Sequence, residues 1–404
     1  MKTIAKNHQN CLPHLLRRLN YLNQRYPTSS WGVTFRKLLY KSIELKKKMC
    51  TEDYIKYDYP IACIRPKYFV SCSLIIKHLY MKIQDFFKQF PDEKSCKIHF
   101  KQERDKQGVI CKKCNNQEHY WLSTREQYQC KKCKHRTPLR SGTLLHGTQL
   151  PYYYWYFAMM MLTSTKKSYS ALEIQRQLDH PYYEPIWYML HKIRYAMGKR
   201  DENYTLCDEV ELDEGFFEVV PTKEERDKIA IELKDNEGKY KRGKGSQKQS
   251  AVLVMTESKT VEASEKYKHK PTKKVGFIKM QLLKDLSKET TNTEVEKAID
   301  QQASATTDGA NNYNDLKEKL ADHNAVVIKI KSETLKVLPW VHIAISNAKR
   351  LLLDIHHSIG CDYLQRYLDE FCYKFNRRYF NSIFERVVIA SVTCKWEKKV
   401  QAIG

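Results

Sequence analysis

Asp213 lies within DEVELDEGFFEVV, a stretch that alternates apolar and polar residues as a strand does, and Asp308 follows the short piece ATTD just before Gly309. An acid inside a central strand and another at the end of a neighbouring strand can meet across a sheet. Paired carboxylates of this kind hold Mg²⁺ or Mn²⁺, which clamp the attacking and leaving oxygens of a phosphodiester. Farther on, LPWVHIAISNAKRLLLDIHH reads as a helix with His342 and Lys349 seven residues apart. Seven residues are two turns, so an imidazole and an ammonium share one face, while Asn347 lies well around the helix. Each residue also has a plainer reading. TDG suits a turn aspartate, Glu211 and Asp213 share a strand face that can be solvated, and His342 and Lys349 suit the surface of an amphipathic helix.

A second set of residues points to a different metal. CKKC occurs at 111–114 and again at 130–133. Two C-x₂-C knuckles around a short alternating insert, NNQEHYWLSTREQYQ, predict a hairpin and a tetrahedral thiolate site for Zn²⁺. Cys111, Cys114, Cys130 and Cys133 leave no open position, so this metal is structural. A redox role would need a single Cys-x-x-Cys. Lys112, Lys113, Lys131 and Lys132 lower thiolate repulsion and would face phosphates. Cys207, Cys361 and Cys372 read as core residues.

The elements that must position these groups follow from periodicity. MKIQDFFKQFPDEKSCKIHFKQ carries helical spacing, with a fresh start at PDEKSC. The run 152–163, YYYWYFAMMMLT, is too short to span a bilayer and reads as a buried helix. SALEIQRQLD and PIWYMLHKIRYAMG, separated by HPYYE, predict a helix-turn-helix, with a plain helical hairpin as the alternative. QSAVLVMTES and VGFIKMQLL predict two strands after the one at 208–220, with the polar loop KDNEGKYKRGKGSQKQS before them. A helix near TNTEVEKAID, the strand ending at ATTD, a helix near YNDLKEKL and a strand at AVVIKI come next. The long apolar helix and DYLQRYLDEFCYKFNRRYF complete a mixed sheet flanked by helices. The boundaries predicted are 1–80 as an appended segment or upstream extension of the reading frame, 81–145 as helix plus ribbon, 146–205 as a helical DNA-binding region, 206–385 as the catalytic domain, and 386–404 as a tail.

Bulk composition narrows the partners. The chain has 404 residues, a formal charge of +24 and 27 Tyr, which suits packed domains that meet a polyanion. Thirteen Cys with only four in a tight pattern argue against a secreted disulfide framework. The opening MKTIAKNHQNCLPHLLRRLN has no apolar signal region. A cytoplasmic location without membrane contact is the expectation.

Strand-borne acid, strand-end acid, then a helix with a basic residue two turns on is the layout of an RNase H-like nuclease. The chain as a whole resembles bacterial insertion-sequence transposases of the zinc-ribbon group related to the Merlin transposons. The matching pieces are FPDEKSC, the paired CKKC, ELDEGFFE, KRGKGSQ, TDGANNY, LPWVHIAISNAKR and YLQRYLDEFCYKFNRR, in family order. Residues 1–80 have no counterpart. The resemblance implies an α+β multidomain protein: a zinc ribbon and helix-turn-helix followed by an RNase H-like mixed α/β catalytic domain. It implies a DDE-type DNA transposase that cleaves element ends and joins them to target DNA, with structural Zn²⁺ and catalytic Mg²⁺ or Mn²⁺.

By position, Asp213 and Asp308 would be the first two catalytic carboxylates. His342 would take the third place, with Asn347 as its rival, and Lys349 would contact a phosphate. Imidazole suits softer metals better than Mg²⁺. Backbone contacts to double-stranded DNA, both terminal inverted repeats and target, are expected from Lys241, Arg242, Lys244, Arg350, Arg377 and Arg378. Asn376 and Arg377 are expected to pack near the site. A homo-oligomer on paired ends is the family expectation. The competing readings are a non-catalytic DNA-binding protein derived from a decayed or domesticated transposase, and a nuclease-fold scaffold with His342 and Lys349 on its surface.

Overall fold

The structure is a computed structural model; it describes residues 81–235, 240, 246–260, 273–327 and 337–396, with the side chains of 234 and 235 left aside. The expectations for residues 1–80 therefore lie outside the described residues. Helix α1 (Ile83–Gln89) leads into α2 (Glu93–Gln107), and PDEKSC is its start. Asp92 caps α2 by accepting from Ser95 N, and the Ser95 hydroxyl accepts from Asp92 N, a reciprocal pair that satisfies two otherwise orphaned donors. A three-stranded antiparallel sheet follows: β1 (His119–Leu122), β2 (Gln127–Cys130) and β3 (Arg136–Pro138).

Helix α3 (Tyr152–Ser164) is buried, as its apolar run predicted. Helix α4 (Ala171–Leu178) is capped by the Ser170 hydroxyl and ended by Asp179 in the left-handed region, φ 48°. Helix α5 (Tyr183–Asp201) comes after a four-residue connection, an arrangement that a helix-turn-helix and a plain helical hairpin share. Most of α5 is core, however. Its first turn, 182–185, is exposed, whereas Ile186, Met189, Leu190, Ile193 and Met197 are packed inside.

The predicted tail at 386–404 is corrected by α10 (Ile383–Thr393). That helix is buried along nearly its whole length and joins the core of α1–α5. Leu144 N donates to Ser391 O, and Trp396 Nε1 donates to the Tyr188 hydroxyl. Apart from Glu385 and Arg386, IFERVVIASV is almost wholly apolar, and such a helix is enclosed. One core therefore spans the two regions that the sequence divided at 145.

Beyond α5 the chain forms a five-stranded sheet in the order β6-β5-β4-β7-β8. Strands β4 (Glu209–Glu218), β5 (Gln249–Thr260) and β6 (Lys273–Leu282) are antiparallel, and β7 (Ser304–Thr307) and β8 (Asp322–Ala325) run parallel to β4. The last strand ends at Ala325, earlier than AVVIKI suggested, and 328–330 lie outside the described residues. Helix α6 (Lys223–Asp235) was not anticipated. Its signal was present, since Thr222 and Glu225 cap one another in the T-x-x-E pattern. Helix α7 (Lys288–Ala298) and a 3-10 helix (Asn311–Glu318) cover one sheet face over Leu212, Leu253 and Met255. Helices α8 (Pro339–Ile355) and α9 (Cys361–Asn376) cover the other over Val252, Val254 and Ile278. This is a mixed sheet with helices on both faces behind a zinc ribbon, in line with an RNase H-like domain.

Candidate active site and metal centre

The four ribbon sulfurs lie within 4.8 Å of one another, and among the described residues no other set of three or more metal-ligating side chains is gathered so closely. Cys111 and Cys133 are 3.5 Å apart, as are Cys114 and Cys130. Tetrahedral Zn–S bonds of about 2.3 Å put sulfurs at nearly this spacing, so the donor set fits Zn²⁺. The two knuckles are built alike. Asn115 and Lys134, each directly after a second cysteine, take positive φ, and their N–H groups return to the carbonyls of Cys111 and Cys130. Backbone N–H groups of the knuckle, Cys133 foremost, pull the Cys130 thiol down to about 6. Lys112, Lys113, Lys131 and Lys132 are exposed around the cluster.

The second candidate centre is assembled from distant pieces of chain. Strand β4 and β7 pair in parallel with Glu209 beside Ser304, Val210 beside Ala305 and Glu211 beside Thr306. Asp308 follows directly after β7, two residues beyond the last paired residue Thr306, as Asp213 lies two residues beyond its partner Glu211 on β4. Asp308 leaves β7 through Gly309, which takes φ 75°, and its Oδ1 accepts from Ala310 N at 3.1 Å. Asp213 Oδ1 accepts from Glu214 N at 2.8 Å.

Helix α8 crosses β4 at Gly215, where a Cβ would meet Ile345 at 3.3 Å, so the glycine sets the close approach. The approach brings His342 Nδ1 to 3.6 Å from Asp213 Oδ2, a contact too long for a hydrogen bond. Burial lowers the imidazole below its ordinary value, and the nearby Asp308 carboxylate pulls it partway back. His342 Nε2 is buried without a hydrogen-bond partner. Lys349 lies two turns on, with Nζ 5.6 Å from the Phe217 ring centroid, and borders a cavity of about 930 Å³ shared with Arg226, Lys248 and His356.

The remaining expected residues divide. Asn347 and Arg350 are exposed on α8, and Asn347 points away from Asp213 by its helical position. Lys241, Arg242 and Lys244 lie outside the described residues. Arg377 is corrected: it is 0% exposed, paired at 2.5 Å with Asp201 and stacked 3.6 Å from the Tyr373 ring centroid. A cation sealed in this way cannot grip a phosphate; it ties α9 to the end of α5. Arg378 donates to the carbonyls of Val275, Gly276 and Phe375. Asn376 accepts from Ile278 N and donates to Ile278 O, covering the outer edge of β6 rather than packing beside Asp213. Glu211 and Glu214 received no part from the sequence, yet both are buried and bonded to the segments that carry His342 and Asp308.

Two family models match the chain. A transposase zinc-ribbon domain covers residues 91–136 and takes in both knuckles. An ISXO2-like transposase domain covers 205–376 and takes in Asp213, Asp308, His342 and Lys349. No curated protein and no solved structure matches. With the two domains in this order over just over half of its length, the chain belongs to the IS1595 family of insertion-sequence transposases.

Proposed function

We propose that the chain is an active DNA transposase that cuts at the ends of its element and joins the freed ends to target DNA. Asp213, Asp308 and His342 form its reaction centre. The observation that carries this reading is the 3.6 Å approach of His342 Nδ1 to Asp213 Oδ2 beside the β4–β7 register. The donor set fits divalent cations: a carboxylate on β4, a second directly after β7, and an imidazole whose Nδ1 faces Asp213. These three residues would hold Mg²⁺ or Mn²⁺, which when bound would draw charge from the phosphodiester oxygens.

The chain's own groups account for the rest. Burial keeps His342 neutral near pH 7, so it offers a lone pair rather than a charge. The side chains of His342 and Asp213 are 26% and 14% exposed, open enough to admit water and a strand. Water, and then the freed 3′-hydroxyl, would displace at phosphorus without a covalent bond to the protein. Lys349 would neutralise a neighbouring phosphate, with Arg350 beside it. Lys241, Arg242 and Lys244 would hold the DNA backbone. The ribbon lysines and the exposed first turn of α5 would read the terminal repeats, and a homo-oligomer would pair the two ends. Cleavage of a labelled end substrate with Mg²⁺ and with Mn²⁺ tests the reading. Asp213→Ala and Asp308→Ala should each reduce cleavage by about 10³-fold or more while leaving end binding intact. Unchanged cleavage by both would sink it in favour of a non-catalytic DNA-binding protein.

A further inference from the structure

Strand β4 carries two buried carboxylates besides Asp213. Glu211 is 2% exposed and Glu214 is 7% exposed. Glu211 stands two residues before Asp213 on the same strand face, and Glu214 directly after it on the opposite face. Helix α8 begins without a local cap: Leu338 supplies no side-chain bond and Pro339 has no N–H. Glu211 Oε2 takes that place, accepting from Trp340 N at 2.8 Å and Val341 N at 3.1 Å. His342 is the next residue. On the other side, Glu214 Oε1 accepts from Asn312 Nδ2 at 2.6 Å, four residues past Asp308. Burial and the Glu214 carboxylate together push the neighbouring Tyr313 phenol well up.

We propose that Glu211 and Glu214 are positioning residues: Glu211 fixes His342 against Asp213 by holding the first turn of α8, and Glu214 fixes Asp308 by holding the Asn312 segment. The inference rests on the reading of Asp213, Asp308 and His342 as one metal-holding set. The physical reason is the tolerance of such a set. Groups that hold reacting atoms must stay within about 0.5 Å of their working places, and His342 and Asp308 sit on a helix and a turn that β4 does not carry itself. Two carboxylate side chains rooted in the same strand as Asp213 reference both segments to it.

The test uses the full chain, with Mn²⁺ alone as the binding probe read by electron paramagnetic resonance, and single-turnover cleavage of end DNA. Glu211→Gln and Glu214→Gln should each weaken Mn²⁺ binding and slow cleavage by about 10–100-fold, the usual effect of removing a group that orients a metal ligand. KM for the DNA and the zinc content should stay near the parent values. Glu370→Gln is the control, because Glu370 is 1% exposed, lies on α9 and is paired with Arg194 rather than with either segment. It should lower the unfolding temperature without moving Mn²⁺ affinity. If Asp213→Asn weakens Mn²⁺ binding but both glutamine variants leave it within about twofold, the positioning role is overturned and the site reading stands. If Asp213→Asn also leaves Mn²⁺ binding unchanged, the site reading falls and takes the positioning role with it. Should a glutamine variant not fold, Glu211→Asp and Asn312→Ala weaken the same bonds more gently and are judged by the same readout.

Discussion

The two candidate metal centres are built in opposite ways. The ribbon draws all four donors from a single stretch between Cys111 and Cys133, and its sulfurs close on one another. The sheet site draws Asp213 from β4, Asp308 from the end of β7 and His342 from α8, and its donors stay more open. A closed thiolate set contributes to folding directly, because the metal supplies what a small hairpin core cannot. An open set depends on the fold already being in place. The ribbon should therefore tolerate loss of the sheet site, and the sheet site should tolerate loss of zinc. Cys130→Ser should abolish stoichiometric zinc and unfold the ribbon, a loss on the order of 10 kcal/mol of metal-linked folding energy. Mn²⁺ binding at Asp213 should survive. Elemental analysis beside Mn²⁺ titration checks this, and simultaneous loss of both metals would break the comparison.

A smaller effect is expected at the seam between helices and sheet. Arg377 and Asp201 form a buried pair there, and Arg194 meets Glu370 at 2.8 Å with both side chains almost fully enclosed. Arg377→Met strands Asp201 without its charge partner and should cost about 3–5 kcal/mol of stability. It should leave the salt dependence of DNA binding unchanged. Lys349→Ala and Arg350→Ala should do the reverse, each lowering the salt slope by about 1 with little change in unfolding temperature. A lowered slope for Arg377→Met would restore it as a DNA contact.

That seam also shows which parts were legible in the sequence. The ribbon was readable outright, because its ligands, spacing and hairpin are local. Strands β4 to β7 and helices α7 to α9 followed from periodicity, since burial on one face imposes a period of 2 or 3.6. Asp213, Asp308 and His342 were expected as one site from their order along the chain, and His342 Nδ1 lies 3.6 Å from Asp213 Oδ2. Arg377 was misread because YLDEFCYKFNRR is amphipathic and rich in charge, and a charged residue on such a helix is by default solvated. Its partner Asp201 lies on a different helix, and no local signal reports a pairing over that separation. Glu211 was passed over for the same reason. Its alternation with Asp213 looked like a solvated face, whereas α8 closes over it.

His342 allows the comparison to be sharpened by exchange of donor type. The ribbon donors are soft and carboxylates are hard, and the imidazole of the proposed set would make that site intermediate. His342→Glu should raise cleavage with Mg²⁺ relative to Mn²⁺ by about tenfold, as an all-oxygen set favours the harder ion. Zinc content should not move. An unchanged Mg²⁺/Mn²⁺ ratio would mean that His342 does not touch the ions.

The last effect concerns histidines that belong to neither centre. His191 is 0% exposed, 4.1 Å from the Trp187 ring centroid and close to Tyr363 and Tyr367, with both ring nitrogens unbonded. Burial first, then Arg194, Arg366 and His356, drive its pKa to about 2, while burial and Arg194 bring His356 to about 4. Both folded values lie below the unfolded value of about 6.5. The unfolded chain therefore binds protons that the folded chain refuses. Stability from this packing is complete above about pH 6.5 and falls as pH drops, with the His356 share exhausted near pH 4 and the His191 share continuing toward pH 2. For fully buried His191 the fall is at most about 1.4 kcal/mol per pH unit. His191→Phe keeps the ring and removes the titration, so its unfolding midpoint should drop less steeply between pH 6.5 and 4. Thermal melts of the two proteins across that range decide it, since acid acting through the ribbon thiolates would lower both curves alike and leave their slopes equal.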